Sequence, residues 1–197
     1  MSNKIRVLQV IPELGYGGAE TGCYDLAHFL AEKGCKSFIA TSGGKLLKYV
    51  RKDKVKVFLL PVHSKNPLLI LANFFILTFL ILFYRIDIVH ARSRAPAWSC
   101  WPATILTARK FVTTYHGTYG FSGPIKKFYN SIMLKSKLII AGSNFIFAHI
   151  NENYQKYLNY RKRKLMVIFR GINTEYFNPA NVSEKDVEKQ KIKWKIY

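Results

Sequence analysis

Residues 5–20 read Ile-Arg-Val-Leu-Gln-Val-Ile-Pro-Glu-Leu-Gly-Tyr-Gly-Gly-Ala-Glu, and the junction inside them decides the fold. Ile5 to Ile11 is an apolar run of strand length, interrupted only by Gln9 among apolar neighbours and by Arg6 at its start. From Ala19 to Gly34, the residues Cys23, Leu26, Ala27 and Leu30 fall at helical spacing before a glycine stop. A strand, a glycine turn and a helix in that order put backbone N–H groups and the positive helix end at the carboxyl edge of a sheet. That edge is where α/β proteins bind anionic ligands. The turn is not the dinucleotide fingerprint: GxGxxG would need glycine where Glu20 stands, and no acidic residue closes the second strand to take a ribose. Nor does a Gly-Lys-Ser/Thr follow to make a P-loop. Glu20, in the first helical turn, suits either a charge set against the helix dipole or a ligand contact.

Outward from this junction the segments keep alternating. Lys36–Thr41 reads as a second strand ending in Ser42-Gly43-Gly44, and residues 55–62 as a third closed by Pro61. Residues 87–90 form a fourth, Lys110–Tyr115 a fifth, residues 137–141 a sixth and residues 164–169 a seventh, with helical stretches between most of them. The expected class is α/β: a Rossmann-like parallel sheet with helices on both faces.

Between the third and fourth strands, residues 67–84 are apolar on every side, with only Asn73 and Thr78 as polar breaks. The stretch is just short of the ~20 residues a bilayer asks for. A helix joining two neighbouring parallel strands lies on the sheet and does not also span a bilayer. One greasy face beside a basic surface is what a protein resting on an anionic membrane needs; burial by a partner or a further domain is the other reading.

The chain of 197 residues carries 31 Lys+Arg against 11 Asp+Glu, a net charge of +20. From Ile88 to Asn151 there is no carboxylate, while Arg92, Arg94, Arg109, Lys110, Lys126, Lys127, Lys135 and Lys137 all lie there. An anionic partner is expected, although a lysine-rich proteome would give a similar bias. Cys23, Cys35 and Cys100 have no CxxC spacing and odd number, which points to a reducing cytoplasm. The first segment, broken by Gln9 and Pro12, makes a poor signal peptide.

Five blocks carry a resemblance. Residues 11–20, Asp87-Ile88-Val89-His90-Ala91-Arg92-Ser93, Thr114-Tyr115-His116-Gly117, Ala141-Gly142-Ser143 and residues 167–173 stand in the order seen in the N-terminal domain of retaining GT-B glycosyltransferases. The chain resembles the family 4-like group that includes lipopolysaccharide-core and phosphatidylinositol mannosyltransferases, over nearly its whole length. The resemblance implies one half of a GT-B fold, with residues 1–179 as the N-terminal Rossmann-like domain. Residues 180–197 would begin the linker helix into a C-terminal domain that this sequence lacks, with Ser183-Glu184-Lys185-Asp186 as its capping box.

The resemblance also implies roles. Gly17 and Gly18 would lie close to donor phosphates and acceptor, where a Cβ would hold a ligand off and a positive φ would cost a side chain more. His116 would contact the donor sugar near the reacting carbon, as the catalytic residue. His90 and Arg92 follow the fourth strand at the same edge; Arg92 suits an acceptor phosphate or acidic sugar, or a solvated surface. Ser143, with Asn144, would bond a ligand or cap the next helix, and capping is the plainer role. Arg170 would line the cleft in place of the commoner asparagine, and Phe169 replaces a proline, a departure that bears on the shape of that crossover.

The implied reaction moves a sugar from a nucleotide-sugar donor to a glycolipid or lipopolysaccharide-type acceptor with retention, on the inner face of the cytoplasmic membrane. No metal or other cofactor is expected. The diphosphate-binding Lys/Arg pair and Glu-x7-Glu element of the family belong to the C-terminal half. The chain is therefore expected to need a separate C-terminal half, or to be an inactive remnant. A basic nucleic-acid-binding module is the remaining reading, resting on charge and on Tyr115, Tyr119 and Phe121 near lysines; no recognised motif accompanies it.

Overall fold

The computed structural model describes residues 4–120, 122–159, 163–175 and 177–196. Along the chain run β1 (Arg6–Val10), α1 (Gly18–Glu32), β2 (Lys36–Thr41), β3 (Val55–Leu59), α2 (Pro67–Phe83), β4 (Ile88–Ala91), α3 (Arg94–Leu106) and β5 (Lys110–Tyr115). They continue with α4 (Pro124–Ser131), β6 (Leu138–Ala141), α5 (Asn144–Asn159), β7 (Lys164–Val167) and α6 (Glu184–Trp194). The seven strands form one sheet in the order β3-β2-β1-β4-β5-β6-β7, every neighbouring pair parallel. The expected class is what the chain adopts.

Strand order corrects one step of the sequence argument. β3 is an edge strand and β4 lies beyond β1, so α2 does not join neighbours; it carries the chain back across β2 and β1. Strand order therefore reverses between β1 and β4, and the loops leaving their carboxyl ends diverge there into a crevice.

Alternate residues of β2 go to opposite faces. Ile39 joins a small cluster with Ile11, Leu14, Cys23, Ala27 and Val55 beneath α1. Phe38 and Ala40 join a larger one with Leu77, Ile81, Val89, Cys100, Ile139 and Ile150, fed by α2, α3 and α5. Each fully buried aliphatic side chain here contributes about 2 kcal/mol.

α2 starts at Asn66, whose side chain accepts the Leu68 N–H at 2.9 Å, with Pro67 in its first turn. It buries Asn73, Leu77, Leu80 and Ile81. The polar breaks in its apolar run bond backbone carbonyls: Asn73 Nδ2 donates to Pro61 O at 3.0 Å and Thr78 Oγ1 to Phe74 O at 2.8 Å. Leu68, Leu71, Phe75, Phe79, Leu82 and Phe83 form an exposed stripe at helical spacing, with Phe79 61% accessible. Among the described residues no helix is long and apolar enough to cross a membrane.

Three helices end alike. Gly34 (φ 83°), Arg85 (φ 52°) and Ala108 (φ 53°) follow α1, α2 and α3 in the left-handed conformation. After each, paired hydrogen bonds return to the last turn, as in Ile86 N–H to Ile81 O at 2.8 Å and Arg85 N–H to Leu82 O at 3.1 Å. α6 opens on Ser183, whose Oγ accepts the Asp186 N–H at 3.2 Å and donates to Asp186 Oδ2 at 2.6 Å.

Candidate active site

The site is built on Gln9. This side chain, fully buried in the central strand, donates from Nε2 to Cys23 O at 3.0 Å and so ties β1 to α1. Its Oε1 accepts a hydrogen bond from Arg92 Nη1 at 3.0 Å. Arg92 Nη2 donates in turn to Ala19 O at 3.3 Å, in the first turn of α1. Arg92 is therefore not a solvated surface arginine: it is 6% accessible, directly under the glycine turn. Its Nε is buried without a hydrogen-bond partner among the described residues.

No ion pair among the described residues involves Arg92; the three that occur join Arg51 with Asp53, Lys54 with Glu32, and Lys191 with Glu188. A buried guanidinium beside the positive end of a helix is costly until an anion joins it. Burial pushes the Arg92 pKa down, and Arg170 pushes the same way against Cys23 and Glu20.

The glycines serve this cluster more than a strained turn. Gly17 caps α1 with φ −69° and ψ 162°, so the positive φ expected there is absent; the described glycines that use one are Gly34, Gly43, Gly44 and Gly123. What glycine supplies at 17 and 18 is room. A Cβ on Gly17 would collide with the Glu20 carboxylate folded back over it, and one on Gly18 with Arg170 Nη1. A Cβ on Gly22 would come within 3.2 Å of Arg92 Nη2 and 3.8 Å of Arg170 Nε. The two guanidinium groups thus converge on one stretch of α1. The φ-demanding glycine is Gly44, at 131°, where a Cβ would strike the backbone of Leu14. That loop fixes the turn from behind: Leu14 N–H donates to Gly43 O at 2.7 Å and Leu46 N–H to Leu14 O at 2.9 Å.

His116 follows β5 and is half-buried. Arg170 Nη2 donates to its Nδ1 at 2.7 Å, and its Nε2 is buried without a partner among the described residues. Burial, then Arg92, then Arg170 hold its pKa down at about 3, so the ring is neutral at physiological pH. His90 stands beside Gln9 and Val112 in the sheet register, buried, with Nε2 and Thr114 Oγ1 2.7 Å apart; burial and Arg92 keep it neutral too. The structure therefore places Gly17, Gly18, Arg92, His116 and Arg170 together, and sets His90 beneath the edge.

Ser143 Oγ accepts the Ile146 N–H at 3.2 Å, the capping contact at the start of α5. Phe169 lies exposed in the loop after β7, where Ile168 N–H still bonds Ala141 O at 3.0 Å. Among the described residues no cluster of three or more His, Cys, Asp or Glu side chains could hold a metal. The aromatics offered for nucleic acid are otherwise engaged: Tyr115 is fully buried and Tyr119 lies 4.1 Å under the Arg94 guanidinium. Phe121 falls outside the described residues.

Gln9, Gly22 and Gly44 were not read as site residues from sequence. A polar side chain in an otherwise apolar central strand was the available signal for Gln9, because such a group is buried only with partners.

The sequence profile of Glycosyltransferase Family 4 matches residues 16–176. Among solved structures, a glycosyltransferase from Rickettsia africae ESF-5 is 42% identical, covering 99% of this chain and 50% of its own, with a TM-score of 0.82. HepE from Anabaena, solved in complex with UDP and glucose, is 14% identical with a TM-score of 0.70, over 96% of this chain and 50% of its own. The lipopolysaccharide outer core galactosyltransferase WaaB is 14% identical with a TM-score of 0.62, over 86% of this chain and 46% of its own. Among curated proteins no match was found. The chain spans about half the length of the solved chains it matches. Its sheet is the N-terminal half of a GT-B fold, and the chain belongs to glycosyltransferase family 4.

Proposed function

We propose that this chain is the acceptor-side half of a retaining glycosyltransferase that moves a sugar from a nucleotide-sugar donor to a glycolipid acceptor of lipopolysaccharide type. The observation that carries the reading is the convergence of Arg92 and Arg170 on the first turns of α1 at the topological switch point, with His116 held by Arg170. Two guanidinium groups and a helix N-terminus suit a phosphate or diphosphate, and they spread charge that develops on a departing oxygen. A neutral imidazole suits a hydroxyl of the sugar. HepE has been solved with UDP-glucose bound, which supports a donor of that class. The carboxylate-free stretch from Ile88 to Asn151 offers no general base for inversion, which favours retention. No metal or other cofactor enters the reading, because fixed cations take that part.

The solved chains matched are about twice as long, so turnover requires a second half, on this chain or another. The exposed stripe of α2 and the charge of +20 support work at an anionic membrane surface, on its cytoplasmic side. The test joins this half to a C-terminal half and follows label from nucleotide sugars into lipid acceptors. Transfer lost on His116→Ala, with the product anomer matching the donor, is the expected result. Silence at high concentration of both halves would overturn the reading in favour of an inactive remnant.

A further inference from the structure

Arginine carries only N–H donors, so the 2.7 Å contact from Arg170 Nη2 to His116 Nδ1 leaves one arrangement for a neutral ring. Nδ1 accepts, and the ring proton sits on Nε2. We infer that Arg170 is a positioning residue that fixes His116 as its Nε2–H tautomer and presents one N–H donor to a ligand oxygen in the crevice.

Three observations support this. Nε2 is a buried atom with no hydrogen-bond partner among the described residues, so its donor is free for a ligand. The arm that reaches His116 crosses the start of α1, where Gly18 leaves room for its Nη1 and its Nε passes beside Gly22. A side chain at position 18 would displace that arm, which gives Gly18 a purpose apart from touching a ligand. Among the described residues the charges that act on the ring are those of Arg92 and Arg170, the latter in direct contact, and both disfavour a second proton. A neutral donor orients and polarises a sugar oxygen without giving up its proton, which a protonated histidine would risk.

The meaning of that donor rests on the transferase reading, but the tautomer does not, and the measurement needs no ligand. Long-range 15N–1H correlation spectra of the imidazoles, at pH 7 on the labelled chain with His116→Asn for assignment, report which nitrogen holds the proton. The expected result is a His116 with protonated Nε2 and bare Nδ1 that does not titrate between pH 5 and pH 8. In Arg170→Met the ring should populate both tautomers and titrate at higher pH, with β-sheet resonances elsewhere unchanged. A wild-type ring protonated on Nδ1 overturns the inference without any variant, as does an Arg170→Met ring that stays wholly Nε2–H. Correct tautomers alongside failed sugar transfer would sink the transferase reading alone.

Discussion

α1 and α2 each carry the chain between strands of one sheet, on opposite faces of it, yet they turn different residues outward. α1 buries only Cys23 and Ala27 and exposes Asp25 and Glu32 beside Phe29. α2 buries four residues and exposes a stripe of Leu and Phe without a single charge along its length. The fold requires one inward face from each helix. What the other face carries is therefore left open by the fold: on α1 it carries charged residues, on α2 apolar ones.

The sharpest way to test that contrast sets the two faces of α2 against each other. Leu77→Ala, at the buried face, should cost about 3 kcal/mol in urea unfolding. Phe79→Asp, at the exposed face, should leave stability within about 0.5 kcal/mol and lower binding to anionic vesicles about tenfold in flotation. Equal losses of stability in both would mean the outer stripe is packed, and the comparison would break.

On the α1 side, Gly44→Ala should cost about 2–3 kcal/mol, since the left-handed backbone and Leu14 both oppose a Cβ. Gly18→Ala should cost under about 1 kcal/mol, because only the movable Arg170 side chain is in the way. A ranking reversed between the two glycines would show that the turn, and not the arginine, governs position 18.

Acid provides a graded test. His90 and His116 are held below the ordinary value of 6.5, so the unfolded chain takes up protons as pH falls through 6.5 while the folded chain does not. Their stabilisation is complete above 6.5 and is lost as pH falls toward the folded values. From pH 7 to pH 5 the loss should be about 1–2 kcal/mol for His116, with a loss of the same sign for His90. His116→Asn should remove its share of that slope in urea titrations at several pH values.

The smallest effect belongs to the helix ends. Ala108→Gly, at a left-handed residue, should stabilise by about 0.5–1 kcal/mol in thermal unfolding, whereas Gly34→Ala should destabilise by a similar amount.

Sequence made the elements legible and left their arrangement hidden. β2 and β5 stand where their apolar runs and flanking turn residues put them. The third strand was expected to run to Val62 and ends at Leu59, just before Pro61, and the seventh was expected to reach Phe169 and ends at Val167, beside the end of β6. Strand order was misjudged at β3 and β4, because periodicity records which residues face inward but not which edge the chain returns to. Within the site, Gly17, Gly18 and His116 could be picked out from their motifs. The burial of Arg92 could not, since it depends on Gln9, eighty-three residues away, presenting an amide oxygen at the right depth.

The common left-handed ends of α1, α2 and α3 all lie at the amino edge of the sheet, where each hands the chain to β2, β4 or β5 within a few residues. Those joints share one design and leave no slack: lengthening any of them would shift a strand against its neighbours. The opposite edge has loops of unequal length, and an insertion there displaces no strand. Sequence change can therefore accumulate at one rim of the sheet, with the other serving as an invariant frame.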